Sequence, residues 1–167
     1  MTENTPASLS EEAQTALEVL EEILRQMSFP ATVEVSETSD QVLLNMTSNE
    51  PLGLLIGKGG QTLNALELLI RTITQQKLHI HGKRVVVDAE GYRTRQTQRL
   101  VDMAHAAARQ VLESGECVPL EPMTARDRRT VHMAALEIEG VESFSVGEEP
   151  YRHIVLCPPG EKPEGAE

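Results

Sequence analysis

The segment Leu54-Leu55-Ile56-Gly57-Lys58-Gly59-Gly60-Gln61-Thr62 constrains this chain more than any other. It reads as an apolar helical turn, a glycine loop with one lysine, and the start of another helix. Glycine has no Cβ, so the backbone can come close to a ligand. The start of a helix presents unpaired N–H groups and a partial positive charge. The combination is an anion site, and for a chain of this size the anion is a phosphate. The spacing argues against a bound nucleotide, so no cofactor is expected. A Walker-type loop has four residues between its glycines and a Ser or Thr after its Lys. Here three residues separate Gly53 from Gly57, and Lys58 is followed by Gly59. The dinucleotide fingerprint would need a glycine at Thr62 and a strand directly before the loop. What fits is Gly57-x-x-Gly60 between two helices.

The surrounding pattern supplies the fold around that loop. Ser8 and Glu11 have capping-box spacing. Ala13, Leu17, Leu20, Leu24 and Met27 then recur at helical spacing, with Glu11, Glu12, Glu18, Glu21 and Glu22 on the outer face. Phe29-Pro30 ends this helix. Residues 31–37 and 41–47 alternate around Thr38-Ser39-Asp40, which predicts a β-hairpin. A helix over 61–75 with Leu63, Leu66, Ile70 and Ile73 inward, and a strand over 83–89, complete a first unit. A long helix is expected from about Tyr92 to Glu113, with Leu100, Met103, Ala107 and Val111 on one side. Pro119–Pro122 reads as a rigid joint. Thr124 and Asp127 cap a helix over 125–137, and two short strands follow over 142–146 and 152–157. A boundary near Gly91 or Gly115 would divide the chain in two.

The net charge is −11 over 167 residues, yet its distribution matters more than its sum. Residues 1–53 carry ten acids and one base, whereas residues 71–109 carry eight bases and three acids. An acidic protein can therefore keep a local basic face. With two Phe, two Tyr and no Trp, the chain cannot build an aromatic base-stacking platform. Nucleic-acid binding would have to rest on backbone contacts and aliphatic side chains such as Leu54, Ile56 and Leu63.

A second constellation is Arg126-Asp127-Arg128-Arg129-Thr130-Val131-His132. Arg128 and His132 are four apart and share a helix face. A guanidinium fork beside an imidazole suits a phosphate. The downstream segment Ser145-Val146-Gly147-Glu148-Glu149-Pro150-Tyr151-Arg152 supplies a further cation, Arg152. Arg93, Arg95 and Arg99 crowd the first turns of the long helix, where cations oppose the helix dipole. They suggest either a nearby anion or pairing with Asp88, Glu90 or the acidic first helix.

These motifs carry a resemblance. The order helix, strand, strand, helix, Gly-x-x-Gly loop, helix, strand resembles a type II KH domain, whose loop clamps the backbone of about four single-stranded nucleotides. The Arg128/His132 helix and its closing strands resemble an R-3-H domain, an α/β module named for an Arg and a His separated by three residues. A KH domain followed directly by an R-3-H domain resembles the Jag family, also called KhpB, over residues 10–158. The resemblance implies an α+β, cytoplasmic, bacterial RNA-binding protein, linked to control of cell elongation and division, that acts after transcription. Its partners would be single-stranded RNA, with single-stranded DNA as the alternative, and a small single-KH protein. Many members carry a Jag-N domain, which this chain is expected to lack. The expected layout is a disordered 1–9, a KH domain over 10–90, an R-3-H domain with its long helix over 91–158, and a disordered tail over 159–167. The expected RNA-binding residues are Ile56, Gly57, Lys58, Gly59, Gly60, Arg93, Arg95, Arg128, Arg129, His132 and Arg152. Many relatives carry two bulkier, often basic residues where this loop has Lys58-Gly59.

The remaining features weigh against other classes. Cys117 and Cys157 are far apart, in no metal-ligand spacing, and read as buried thiols in a reducing compartment. His79 and His81 alternate, as on a strand edge, without a third metal ligand. No nucleophile and base are paired, so an enzyme is not expected. No run of about eighteen apolar residues spans a membrane, and the N-terminus has no secretion-signal pattern. The competing reading is a protein-interaction adaptor that uses the acidic first helix.

Overall fold

In the computed structural model, residues 9–80 and 82–165 are described. The chain divides into two compact units, Met1–Arg93 and Thr94–Glu167. The first runs α1 (Glu11–Gln26), β1 (Thr32–Glu37), β2 (Gln41–Thr47), α2 (Gly53–Ile56), a 3₁₀ turn (Lys58–Gly60), α3 (Gln61–Leu78) and β3 (Arg84–Ala89). This is the helix-strand-strand-helix-helix-strand order expected of a type II KH domain.

The cap of α1 is Ser10, whose Oγ accepts from the Ala13 N–H at 3.2 Å. The expected cap, Ser8, lies outside the described residues. Ser10 also ties the helix to the end of β1, because its N–H donates to Glu37 Oε2 at 3.0 Å and its hydroxyl donates to Oε1. Lys83 closes the corner, donating to Glu37 at 2.7 Å and to the Thr38 carbonyl at 2.8 Å. These bonds hold the Glu37 carboxyl down at about 2 against an ordinary 4.5, with the Lys83 bond contributing most.

β1 and β2 pair antiparallel with Val33 opposite Met46, and β2 pairs parallel with β3 so that Val42 lies opposite Val85. A parallel pair needs a crossover of a dozen or more residues. Here that crossover contains α2, the glycine loop and α3, so the loop is held at both ends by buried elements. One face of the sheet packs with α1 and α3. Val42, Leu44 and Met46 of β2 lie there with Leu20, Leu63 and Ile70, all fully buried. Each such side chain contributes about 1.5–3 kcal/mol by leaving water. Met27, expected inward, is exposed, and Ala16 and Val19 take the inner face of α1 instead. α3 runs three residues past its expected end, and His79 closes it in the left-handed region at φ 55°. It is therefore a helix cap rather than an edge-of-strand residue. His81 lies outside the described residues.

The long helix α4 (Tyr92–Ser114) starts within the first unit, which ends after Arg93. The second unit continues with β4 (Val118–Pro119), α5 (Ala125–Leu136), β5 (Glu142–Val146) and β6 (His153–Cys157) in sheet order β4-β6-β5. Leu100, Ala104, Ala108 and Val111 of α4 pack with Val131 and Ala135 of α5 and with Ile154 and Leu156 of β6. β4 replaces part of the expected joint: two residues are too few to read from a pattern, and Pro119 marks an edge strand.

The register of β4 corrects the cysteine expectation. Val118 lies opposite Leu156, so Cys117 falls beside Cys157, and the two form a disulfide with Cα atoms 4.1 Å apart. Neither is a free thiol. In the tail, Glu161 N–H donates to the Pro158 carbonyl, and a Cβ at Gly165 would sit 3.7 Å from Val146 at the end of β5. Of the N-terminal segment expected to be disordered, residues 1–8 lie outside the described residues.

Candidate nucleic-acid interface

The glycine loop forms because its neighbours leave room for nothing else. Gly57 has φ 71° and ψ 178°, a conformation essentially confined to glycine. A Cβ there would come within 2.2 Å of Thr62 Oγ1 and 2.9 Å of the Thr62 backbone nitrogen. Gly60 is left-handed at φ 79° and buried, with Tyr92 against its open side: a Cβ would meet the Tyr92 ring at 3.1 Å. Between them Lys58 and Gly59 are exposed. Gly60 is also the N-cap of α3 and brings no side-chain acceptor to the helix start. The loop thus presents a lysine beside the start of an 18-residue helix that has no side-chain cap, its first N–H donating to the Lys58 carbonyl.

The aliphatic residues separate by role. Leu63 is fully buried and belongs to the core, Ile56 is half-buried, and Leu54 is 68% exposed beside the loop. Only Leu54 of the three offers a wide apolar surface to a base. The outer face of the sheet has Glu34, Ser36, Asn45 and Asp88 along a groove of about 410 Å³, whose lining carries acids and no cation; Arg84, exposed at the start of β3, is on the same face outside that lining.

Arg93 is placed elsewhere than the sequence reading put it. Its guanidinium donates to the Val87 carbonyl at 2.6 Å, to Asn64 Oδ1 at 3.0 Å and to Glu67 Oε2 at 2.7 Å. It clasps α3 to β3, and its side chain is only 15% exposed. Asp88 Oδ1 meanwhile accepts from the Arg93 N–H at 3.1 Å and supplies the negative charge the helix start needs. The cation tolerated at this helix start is paired inside the fold with Glu67. Arg95 and Arg99 are exposed.

In the second unit, Thr124 caps α5 by accepting from the Asp127 N–H at 3.3 Å. Arg128 is turned inward. It donates to the Met123 carbonyl at 2.9 Å and pairs with Glu149 at 2.8 Å, and its side chain is 10% exposed. This corrects the expectation of a guanidinium open to phosphate: Arg128 braces the β5–β6 turn against the start of α5. Arg129 and His132 are exposed on the same helix. His132 Nδ1 bonds to the Ser143 hydroxyl. Arg152 Nε donates to Ser145 Oγ at 2.9 Å. Arg152 and Ser145 line a groove of about 520 Å³ together with Glu149 and, from the returning tail, Glu164. The fold brings His132, Arg152 and the buried Arg128 towards β5 and the β5–β6 turn. It adds Ser143 and Ser145, which sequence reasoning missed. Two serines alternating along a short strand look like a solvent-facing row. Their register opposite Leu156 and Ile154, which puts them on the helix side, is not visible in a sequence.

Among the described residues no cluster of His, Cys, Asp and Glu is placed to hold a metal ion. No described helix is long and apolar enough to cross a membrane.

A Gly-x-x-Gly bend in a type II KH unit, followed by an Arg/His helix on a three-stranded sheet, defines a KH domain in tandem with an R-3-H domain. Comparison with known families agrees: residues 17–89 match the KH domain of KhpA/KhpB and residues 98–158 match the R-3-H domain. Three similar proteins carry the name RNA-binding protein KhpB. The one from Clostridium symbiosum is 34% identical over 143 residues, covering 84% of this chain and 64% of its own. That from Bacillus subtilis (strain 168) is 36% identical over 142 residues, covering 82% and 66%. That from Streptococcus pneumoniae serotype 2 is 30% identical over 146 residues, covering 86% and 44%. The chain belongs to this KhpB, or Jag, family, and it spans less than two thirds of the length of these relatives.

Proposed function

We propose that this chain binds single-stranded RNA, with the KH loop gripping the backbone and the R-3-H edge adding phosphate contacts. The observation that carries the reading is the exposed bend at Gly57–Gly60. Its exposed Lys58 and the start of α3, which lacks a side-chain cap, support a phosphate contact there. The name shared by the relatives supports the same ligand. In this reading Lys58, Gly59 and the amides of α3 hold the backbone and Leu54 meets a base. Arg129, His132 and Arg152 add charge, while Arg128 and Arg93 act as braces. Two weak modules on one chain gain through effective concentration, which suits a broad RNA binder. A cytoplasmic setting, post-transcriptional control of cell elongation or division and a small single-KH partner complete the reading. They rest on the family resemblance alone, since the joined cysteines no longer argue for a reducing compartment.

Fluorescence anisotropy with a short single-stranded RNA at 50 and 200 mM salt tests it. Three phosphate contacts on a single strand give a log–log salt slope of about −2, so affinity falls roughly 20-fold over that range. Replacing Lys58 and Gly59 together by Asp removes the binding while the fold stays, because Gly59 sits at φ 57° and ψ 25°, a region Asp tolerates. Flat or absent binding by the unaltered chain, or full binding by the double variant, would sink the proposal and favour the adaptor.

A further inference from the structure

Alternate serines on β5 each hold one R-3-H side chain proposed to meet RNA. Ser143 bonds to His132 Nδ1 and Ser145 accepts from Arg152 Nε. An exposed imidazole in water exchanges between two neutral tautomers, and only one of them offers a donor at Nε2. When the hydroxyl donates to Nδ1, the ring proton sits on Nε2, the nitrogen on the side away from the serine.

We propose that Ser143 is a positioning residue: it fixes His132 in the Nε2–H tautomer, so the neutral ring still donates to an RNA phosphate. The RNA half of this statement rests on the function proposed above, and the tautomer half does not. A cationic imidazole donates from both nitrogens, so Ser143 decides what Nε2 offers only while the ring is neutral. Other charged groups lie near the pair in sequence: Arg128 and Arg129 are one turn earlier on α5, Glu139 lies beyond the end of that helix, and Glu142 adjoins Ser143 on β5. β6 presents Leu156 opposite Ser143, and α4 presents core residues. Comparing wild type and variant at each pH cancels their contribution.

The tautomer is read directly by long-range ¹⁵N–¹H correlation on the ¹⁵N-labelled chain, free of RNA, at pH 8. The expected result is Nε2–H in the wild type and in Ser143→Thr, which keeps the hydroxyl, and a mixture in Ser143→Ala. An Nδ1–H ring in the wild type, or the same tautomer ratio in Ser143→Ala, overturns the proposal. For RNA, Ser143→Ala should weaken binding about 2- to 10-fold at pH 8 and less than about 2-fold at pH 5.5. Ser143→Thr should restore it, and Ser143→Ala should add nothing to His132→Ala. An equal loss at both pH values, or additive losses, would make the serine merely structural. If the wild type binds no RNA, the function above fails while the tautomer result still decides the role of Ser143. If Ser143→Ala does not fold, the wild type and Ser143→Thr still decide it.

Discussion

Gly57→Ala is the sharpest perturbation of the loop. The φ/ψ pair at this position, 71° and 178°, lies where an L-residue is strained by about 1–3 kcal/mol. The added Cβ also overlaps Thr62, at 2.2 Å from a hydroxyl that can rotate and at 2.9 Å from a backbone nitrogen that cannot. The strained conformation and the fixed nitrogen together make about 2 kcal/mol a reasonable centre. For a unit of this size that is a fall of roughly 8–16 °C in melting temperature. The control is four residues away. Gly53 is the first residue of α2, and a Cβ there meets nothing within 4 Å. Gly53→Ala should therefore hold or raise stability, by up to about 1 kcal/mol. Thermal unfolding followed by a tertiary signal from the first unit measures both, and anisotropy with single-stranded RNA measures the consequence for binding. The expected outcome is a destabilised, weakly binding Gly57→Ala beside a stable, fully binding Gly53→Ala. Equal stability of the two variants would refute the steric account of the loop.

Arg93→Ala removes the guanidinium that pairs with Glu67 and donates to the Val87 carbonyl. With both charged side chains partly exposed it should cost about 2–3 kcal/mol, toward the lower end for a broken buried pair, by denaturant unfolding. Its RNA salt slope should stay unchanged, and a slope shallower by about 0.7 would return Arg93 to the phosphate contacts. The Glu37 carboxyl, depressed to about 2 from 4.5, adds stability that is complete above pH 4.5 and lost as pH falls toward 2. Acid titration of unfolding should show that loss flattened in Glu37→Gln, and an identical acid profile would count against the Ser10–Glu37–Lys83 corner. The disulfide links residues 40 apart in sequence, so reduction should destabilise the second unit by about 4 kcal/mol from loop closure. Calorimetry with and without reductant checks this, and thiol titration of the unfolded, unreduced chain should find no free cysteine.

How far the sequence could be read depended on whether a feature was local. α1, the hairpin and α5 were legible because apolar spacing and turn residues lie within a few positions of one another. The glycine loop was legible because backbone conformation restricts the residue type directly. What was missed required knowing which strands lie side by side. The Cys117–Cys157 bridge follows from β4 pairing with β6, and β4 is two residues long. The inward turn of Arg128 follows from Glu149 in a hairpin further along the chain, and the capture of Arg93 follows from Glu67 on another helix. An arginine reads the same in a sequence whether it braces the fold or faces solvent. Ser10 displaced Ser8 as the expected cap because Glu37, distant in sequence, fixes Ser10 in place.

The most direct test of the account is an amide chemical-shift titration of the ¹⁵N-labelled chain with a short single-stranded RNA. The account predicts the largest shifts at Gly57–Leu63, with a second set at His132, Ser143 and Arg152 that fades as salt rises. Shifts confined to the acidic face of α1, with the glycine loop unmoved at low salt, would contradict it.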